Sequence, residues 1–252
     1  MRKKLLNLYG GIGGNRRGWG DDYDVTAVEY DPEIAKAYAE HFPDDTVIVG
    51  DALEYLVKHY HEFDFIWVSP PCPTHSQYRY NVGVRAKGYA PVIPEATSLY
   101  GIIVFLKHHF DGDWAVENVK PYYEPLIAPS ATVGRHLIWA SFPVTDLKIK
   151  SNGMRENNKI SEAQDANGFD ISQTKIKNKR QVLRNCTEAE VGEHIIEAWE
   201  TKDDDRAGYY YCESCEQDLS EDEWGDHEEL CNLCNENARE MIEYRAWVLR
   251  GG

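Results

Sequence analysis

The stretch DFIWVSPPCPTHS, residues 64–76, predicts a buried strand that ends beside a cysteine, and the rest of the predicted fold is arranged around it. Its apolar run, residues 65–68, is typical of a short buried strand. Pro70 and Pro71 must end that strand, because proline has no N–H to donate to a sheet. Cys72 therefore follows the carboxyl end of a strand, where ligands bind in open α/β sheets. This position makes Cys72 a candidate nucleophile, although a free cysteine is more often a small buried apolar residue.

A glycine-rich loop follows the first predicted strand. Residues 3–9, KKLLNLY, form that strand, and GGIGGNRRGWG comes directly after it. Glycines at this place let the backbone turn tightly and approach a ligand, so the loop predicts a nucleotide-type cofactor in a doubly wound sheet. Arg16 stands where the third glycine of the dinucleotide fingerprint would fall, which disfavours a nicotinamide dehydrogenase.

Acidic residues end the next two predicted strands. The strand over 25–30, VTAVEY, brings Glu29 to a place roughly 20 residues past the loop, where a carboxylate can bind ribose hydroxyls. A surface carboxylate is the alternative. Asp31 and Pro32 then begin a helix. The third predicted strand, 46–53, carries Asp51, which can also cap the helix that follows.

A later strand brings a second chemical group to the same edge. Residues 76–91 hold basic and aromatic side chains and no acid, which suits either nucleic-acid contact or an exposed turn. A helix over 95–109 returns the chain to the sheet, and the strand over 113–121 carries Glu117 and Asn118. We therefore expect a carboxylic acid beside the Cys72 thiol, a pairing that suggests a reaction.

The charge of the 252-residue chain is unevenly distributed. The formal net charge is −16, yet residues 1–186 carry 22 basic and 23 acidic side chains, whereas residues 187–252 carry 5 and 20. The segment 145–186 has 9 basic and 5 acidic residues, an excess that could meet phosphates or form a solvated surface. No stretch approaches the ~20 apolar residues of a membrane helix, so we expect a soluble cytoplasmic protein with no membrane contact.

The acidic tail contains a metal-type cysteine pattern. Its spacing is C-x2-C-x15-C-x2-C, formed by Cys212, Cys215, Cys231 and Cys234. Two such pairs can surround one tetrahedral Zn²⁺, and metal binding would supply the folding energy of so small a segment. His227 is a substitute ligand that a full set of four cysteines makes unnecessary. Phosphates would repel so acidic a module, which favours docking to a protein partner or self-association. The last stretch, ENAREMIEYRAWVL, predicts an amphipathic helix.

The ordered motifs of residues 4–198 resemble those of the DNA cytosine-5 methyltransferases, particularly the compact phage-encoded ones. They are NLYGGIGG, VEYDP, GDAL, SPPCPTHS, AVENV, GRHLIWASF and RQVLRNCTEAEVGEHI. The resemblance implies a Rossmann-like α/β S-adenosylmethionine-dependent methyltransferase domain over residues 1–200, followed by the zinc module and C-terminal helix over 207–252. A bacterial cell or a phage-infected host cell is the location this family implies.

The resemblance also implies roles for individual residues. The S-adenosylmethionine loop is matched by Tyr9, Gly11 and Gly13. Glu29 would hold the ribose hydroxyls, Asp51 the adenine edge, and Asn185 would lie near the cofactor. Cys72 would be the nucleophile and Ser76 a support of its loop. Glu117 would bind and protonate cytosine, with Asn118 as its structural partner and Arg135 steadying the base.

Three positions depart from the family pattern. Asn7 replaces the usual aspartate before the loop, and Pro73 replaces the usual glutamine after the cysteine. Near Arg135 only one arginine of the usual pair is evident, and His136 stands beside it.

The implied reaction begins with covalent activation of cytosine. Carbon 5 is too weak a nucleophile on its own, so the Cys72 thiolate would add to carbon 6 of a base flipped out of duplex DNA. Glu117, kept partly protonated by apolar surroundings, would donate to ring nitrogen 3. Residues 143–180 stand where the family keeps its target-recognition region, and their shortness predicts low specificity or a very short site. Restriction protection and a larger base modification both remain open as the purpose.

Two other functions fit parts of the sequence. A methyltransferase acting on cytosine in RNA would use the same flipped-base chemistry. A catalytically idle cofactor-binding protein that acts through its zinc module is less compatible with the presence of both Cys72 and Glu117.

Overall fold

The computed structural model describes residues 2–72, 75–77, 79–88, 99–149, 159–205, 209–212 and 217–220. The chain divides into two compact units, Met1–Trp199 and Glu200–Gly252. None of the helices in the described part of the chain has the length and apolar character needed to span a membrane.

The first unit is built on a seven-stranded sheet. Its strands are β1 (Lys3–Leu8), β2 (Tyr23–Glu29), β3 (Thr46–Val49), β4 (Phe65–Val68), β5 (Asp113–Val119), β6 (Ala131–Val133) and β7 (His136–Ala140). They lie in the order β3-β2-β1-β4-β5-β7-β6. The first five are parallel to one another, and β7 is antiparallel to both of its neighbours. The carboxyl ends of β1, β2, β4 and β5 therefore meet at one edge of the sheet.

Six α-helices accompany the strands in the part of the chain that the structure describes: α1 (Pro32–His41), α2 (Ala52–His59), α3 (Tyr100–His109), α4 (Ile160–Asn167), α5 (Lys179–Asn185) and α6 (Ala189–Asp205). Two of them begin as their sequences predict. Asp31 caps α1 by accepting from the N–H of Glu33 at 2.8 Å, and Pro32 takes the first helical position. Asp51 caps α2 by accepting from the N–H of Glu54 at 2.8 Å.

The strands bury alternate side chains on opposite faces of the sheet. Leu6, Leu8 and Val68 pack on one face with α2 and α3. Leu5 and Trp67 pack on the other face with the apolar side of α6. Every residue of β4 is buried, as the apolar run of residues 65–68 predicts. Helices thus cover both faces, which confirms the predicted α/β architecture.

The structure corrects several predicted boundaries. The third strand ends at Val49, before Asp51, and α6 spans Ala189–Asp205, where the sequence predicts a helix over 187–200. Strand β7 escaped prediction because its run HLIWA is buried on both faces, and such a short apolar run has no period that separates a strand from a helix. Strand β6 has only three residues, which is too few to show a pattern.

The second unit contains a small hairpin. Strands β8 (Tyr209–Cys212) and β9 (Gln217–Ser220) pair in antiparallel register, with Cys212 opposite Gln217. Cys215, Cys231, Cys234 and the predicted C-terminal helix lie outside the described residues. The zinc module therefore stays a prediction.

Candidate active site

A cavity of about 470 Å³ opens at the carboxyl ends of β1, β2, β4 and β5. Most of the site residues predicted from the sequence line it, namely Tyr9, Gly11, Glu29, Asp51, Cys72, Glu117, Asn118, Arg135 and Asn185. This volume suits a ligand of nucleoside size. We call Tyr9, Gly11, Glu29 and Asp51 the cofactor half of the cavity. Cys72, Glu117, Arg135 and His136 are its catalytic half.

The cofactor half is held by backbone contacts. The N–H of Gly11 donates to Oε2 of Glu29 at 3.0 Å, and the N–H of Asp31 donates to Oε1 at 3.0 Å. These two bonds fix the plane of the Glu29 carboxylate. Gly11 has φ +57°, and no atom lies within 4 Å of the place that a Cβ would occupy. The backbone there faces open space, which fits the close approach of a cofactor.

The chemistry of this half fits S-adenosylmethionine. Glu29 and Asp51 offer carboxylate oxygens to hydroxyl and amino donors, and their negative charges complement a sulfonium cation. Tyr9, which also lines the cavity, adopts φ 58°, a conformation that side-chain-bearing residues rarely take. Burial and the charge of Asp51 raise the pKa of Tyr9 to about 12, so its hydroxyl stays neutral and can donate a hydrogen bond.

Cys72 is half-buried at the start of the catalytic half. Its carbonyl accepts hydrogen bonds from the N–H groups of His75 at 3.0 Å and Ser76 at 2.9 Å, so both residues lie beside it. Burial and the nearby charge of Glu117 raise the pKa of Cys72 above its ordinary value. The resting side chain is therefore a thiol at neutral pH.

Glu117 is the most tightly bound acid of the cavity. Nδ1 of His136 bonds to its Oε1, and the hydroxyl of Thr187 donates to its Oε2 at 3.3 Å. Burial alone would raise the pKa of Glu117, but the charge and hydrogen bond of His136 lower it below the ordinary value, with help from Ser69. The expectation of a partly protonated Glu117 is wrong for this reason. The acid is a carboxylate paired with a cation.

A second carboxylate completes the pairing. Nε2 of His136 lies 3.0 Å from Oε2 of Glu188, whose Oε1 accepts from Nε of Arg135 at 3.2 Å. Although burial opposes its charge, Glu117 and Glu188 raise the pKa of His136 to about 9. Burial would also raise the pKa of Glu188, but His136 and Arg135 lower it to about 2. At neutral pH the four side chains form two balanced ion pairs.

The remaining predicted residues have supporting positions. Asn118 is buried and donates from Nδ2 to the carbonyl of Pro70 at 3.0 Å, which ties β5 to the loop before Cys72. Gly13 and Ser76 do not line the cavity. A Cβ on Gly13 would lie 2.3 Å from the ring of Phe42, so this glycine permits close packing of the loop on α1. Ser76 forms a bridge with Pro121.

The position before the glycine loop also has a structural partner. The amide of Asn7 is fully buried, and its Oδ1 accepts from Nδ2 of Asn15 at 2.9 Å. The loop is thereby tied to the end of β1 by two neutral side chains, where the family usually has an aspartate. An amide can both donate and accept, so Asn7 also reaches the hydroxyl of Tyr38 at 3.5 Å.

The predicted target-recognition segment, residues 143–180, is partly buried. Ala163, Phe169, Ile171 and Ile176 belong to a core cluster with Ile12 of the glycine loop. Arg17 also bonds to the carbonyl of Asn167. Residues 150–158 lie outside the described residues. Lys175 and Lys177 are exposed and are free of acidic neighbours in sequence, so they can still meet phosphates.

Comparison with known proteins agrees with the motifs. Residues 3–90 match the family model of C-5 cytosine-specific DNA methylase. The match confirms the resemblance over the part of the chain that carries the glycine loop, Glu29, Asp51 and Cys72, and it supports a methyltransferase. Glu117, Arg135 and His136 lie beyond it. A comparison with curated protein sequences gives no match.

Solved structures show partial likeness of fold. A mutant of DNMT2 from Spodoptera frugiperda is 16% identical, with a TM-score of 0.38, over 63% of this chain and 61% of that chain. A SAM-dependent methyltransferase from Agrobacterium tumefaciens is 12% identical, with a TM-score of 0.35, over 49% and 40%. The aligned part thus spans less than two thirds of either structure.

Sequence reasoning missed three residues of the catalytic half's surroundings: Ser69, Thr187 and Glu188. It noted His136 only as a neighbour of Arg135. The sequence of Thr187 and Glu188 at the start of a predicted helix is typical of helix capping, and nothing in it indicates contact with β5 or β7. A histidine in the place of an arginine of the methylase motif was the one available signal.

Proposed function

We propose that this protein transfers a methyl group from S-adenosylmethionine to carbon 5 of a flipped-out cytosine in DNA. The observation that carries the proposal is the single cavity that joins a glycine loop and two acids with a thiol and a third acid. The family match over residues 3–90 supports the same reaction. A dehydrogenase would need neither a thiol nor a buried acid at this place.

Cys72 opens the proposed reaction. Its sulfur, as the thiolate, forms a bond to carbon 6, and the electron pair of the ring double bond moves toward carbon 5. S-adenosylmethionine, when bound, would supply the electrophilic methyl group that carbon 5 requires, and its sulfur would keep the electron pair of the broken bond to methyl as a neutral thioether. Loss of the carbon-5 proton to a base then breaks the bond between sulfur and carbon 6 and returns the thiolate. The base must leave the helix, because these atoms cannot be reached inside a duplex.

Glu117 has a different role from the one that the sequence suggested. As a carboxylate it accepts a hydrogen bond from the exocyclic amino group of cytosine, which is a donor. Ser69 forms a hydrogen bond with the acid, and Asn118 ties β5 to the loop before Cys72.

Methyl transfer to several nucleic acids tests the proposal. Labelled methyl transfer to duplex DNA, single-stranded DNA and tRNA would be measured in parallel with Cys72→Ala as the control. We expect label in DNA that the variant does not produce. Label in RNA alone would replace DNA with the RNA alternative. DNA carrying a cytosine analogue that blocks elimination should trap a covalent adduct on Cys72, and an idle cofactor-binding protein would form none.

The four cysteines of the second unit are proposed to bind one Zn²⁺. Their spacing supports the proposal, and the acidity of the unit supports a docking role toward a protein. Metal analysis of the purified full chain should give about one zinc per chain. Replacing Cys231 and Cys234 with serine should remove it. Zinc retained by that variant would contradict the proposed ligand set.

A further inference from the structure

His136 is clamped between two carboxylates. Its side chain is 3% exposed, and its two ring nitrogens face Oε1 of Glu117 and Oε2 of Glu188. A neutral imidazole has one N–H, so one of these contacts would then place a lone pair against a carboxylate. A protonated imidazole has two N–H groups and satisfies both. Opposite two ionised carboxylates, whose pKa values His136 itself holds below their ordinary range, this geometry calls for the imidazolium form.

Charged groups reach His136 from three directions. Glu117 comes from β5, Glu188 from the residue before α6, and Arg135 from the turn that precedes β7. Arg135 does not compete for the ring, because its guanidinium donates to the other oxygen of Glu188 and to the carbonyls of Arg184 and Cys186 at 3.3 Å. Two cations and two anions thus balance in this cluster, in which His136 and Glu117 are buried and Arg135 is partly exposed.

Removing one member of the cluster should disturb the others. Buried ion pairs are sensitive in this way because the partner left behind is an uncompensated charge. Without the imidazolium, burial would favour protonation of Glu117. Without Glu188, the ring would lose one acceptor and could rotate away from Glu117. His136 therefore controls both the charge and the direction of the acid that faces the cavity.

We propose that His136 is a positioning residue for methyl transfer, held as a cation by Glu188, and that it orients Glu117 and keeps it a carboxylate facing the substrate base. The proposal rests on the proposed function for its catalytic consequence. Arg135, to which the resemblance gives the role of steadying the base, also anchors Glu188 through Oε1 and lines the same cavity.

The use of histidine has a chemical consequence. An arginine at this place would stay charged at every working pH, whereas an imidazolium loses its proton within an accessible range. The carboxylates move that loss to about pH 9. Methyl transfer should therefore require two ionisations, deprotonation of Cys72 and protonation of His136, and give a bell-shaped pH profile.

The direct test is the titration of His136 in the full chain by NMR with labelled histidine. His136→Gln identifies the signal, and His108→Gln, a change at an exposed histidine on α3, is the matched control. We expect a midpoint near pH 9 in the wild type. Glu188→Gln should lower that midpoint by roughly one pH unit or more, because it removes a charge that raises the pKa. A midpoint near the ordinary histidine value of about 6.5, or one that Glu188→Gln leaves in place, overturns the proposal.

Kinetics separate positioning from a purely structural role. The profile of kcat against pH should lose its alkaline limb in His136→Gln, because that limb reports loss of the His136 proton. In Glu188→Gln the alkaline limb should remain and move to lower pH. KM for S-adenosylmethionine should change little, because both residues lie outside the cofactor half. If kcat of His136→Gln falls by the same factor at every pH, the positioning role is overturned, whereas the proposed methyltransferase function still stands. Absence of methyl transfer in the wild type overturns the proposed function instead, and the NMR titration then still decides the charge of His136.

Discussion

The two halves of the cavity are built in different ways. In the cofactor half, Glu29 is held by the N–H groups of Gly11 and Asp31, and Asp51 by the N–H of Glu54. These contacts are local or join neighbouring parallel strands. In the catalytic half, side chains from β5, β7 and the start of α6 hold one another through charge. One half depends on backbone geometry, and the other depends on a network of distant side chains.

This difference predicts which changes affect binding and which affect chemistry. When a carboxylate that is held by backbone N–H groups is replaced, only the hydrogen bonds of that carboxylate are lost. A member of a buried charge network leaves an unpaired partner, so its loss spreads to the neighbours. The predictions below test this division, beginning with the largest effect.

Cys72→Ala should abolish methyl transfer while leaving S-adenosylmethionine binding almost unchanged. Removal of a nucleophile that forms the covalent adduct costs on the order of 10³-fold or more in rate. Calorimetry of cofactor binding beside the methyl-transfer assay would measure both quantities. Loss of cofactor binding in this variant would show that the two halves are not independent.

Glu29→Ala should have the opposite profile. It removes an acceptor for ribose hydroxyls, and a hydrogen bond to a charged group contributes about 1.5–3 kcal/mol, so the affinity for S-adenosylmethionine should fall roughly 10- to 100-fold. The rate at saturating cofactor should stay close to that of the wild type. The matched comparison is Glu33→Ala, an acid in the first turn of α1 that does not line the cavity. Equal losses in both variants would contradict a specific role for Glu29.

Much of the cofactor half could be predicted from the sequence. Glu29 and Asp51 follow recognisable strands, and the carboxyl ends of parallel strands meet at one edge, so their convergence follows from chain order alone. The contact between His136 and Glu188 could not be predicted in this way. It spans 52 residues and depends on how the β6–β7 hairpin and the start of α6 pack together. The charge of Glu117 depends on that contact, so it too was beyond local reasoning.

Glu117→Gln should make Cys72 more reactive while slowing methyl transfer. The Glu117 charge is one of the causes that raise the pKa of Cys72, so its removal lowers that pKa and increases the thiolate fraction below pH 9. Alkylation at pH 8 should be several-fold faster, roughly in proportion to thiolate, after subtraction of the rate in a Cys72→Ala background. Asp51→Asn, which removes an acid of the cofactor half, should leave the rate of Cys72 alkylation unchanged. An unchanged alkylation rate in Glu117→Gln would mean that burial alone raises the pKa of the Cys72 thiol.

Gly14→Ala should test the packing that joins the two halves. A Cβ on Gly14 would lie 2.2 Å from the carbonyl oxygen of Thr187 and 2.5 Å from Sγ of Cys186, so either the glycine loop or the segment before α6 must shift. Overpacking of this kind costs about 1–3 kcal/mol. Thermal unfolding would show the loss, with Gly50→Ala as the control because its Cβ would meet only Ile48, at 4.0 Å. Since Thr187 and Glu188 hold Glu117 and His136, a shift of their segment should also lower kcat. An unchanged unfolding temperature with normal kcat would show that the backbone-held half and the charge-held half move independently.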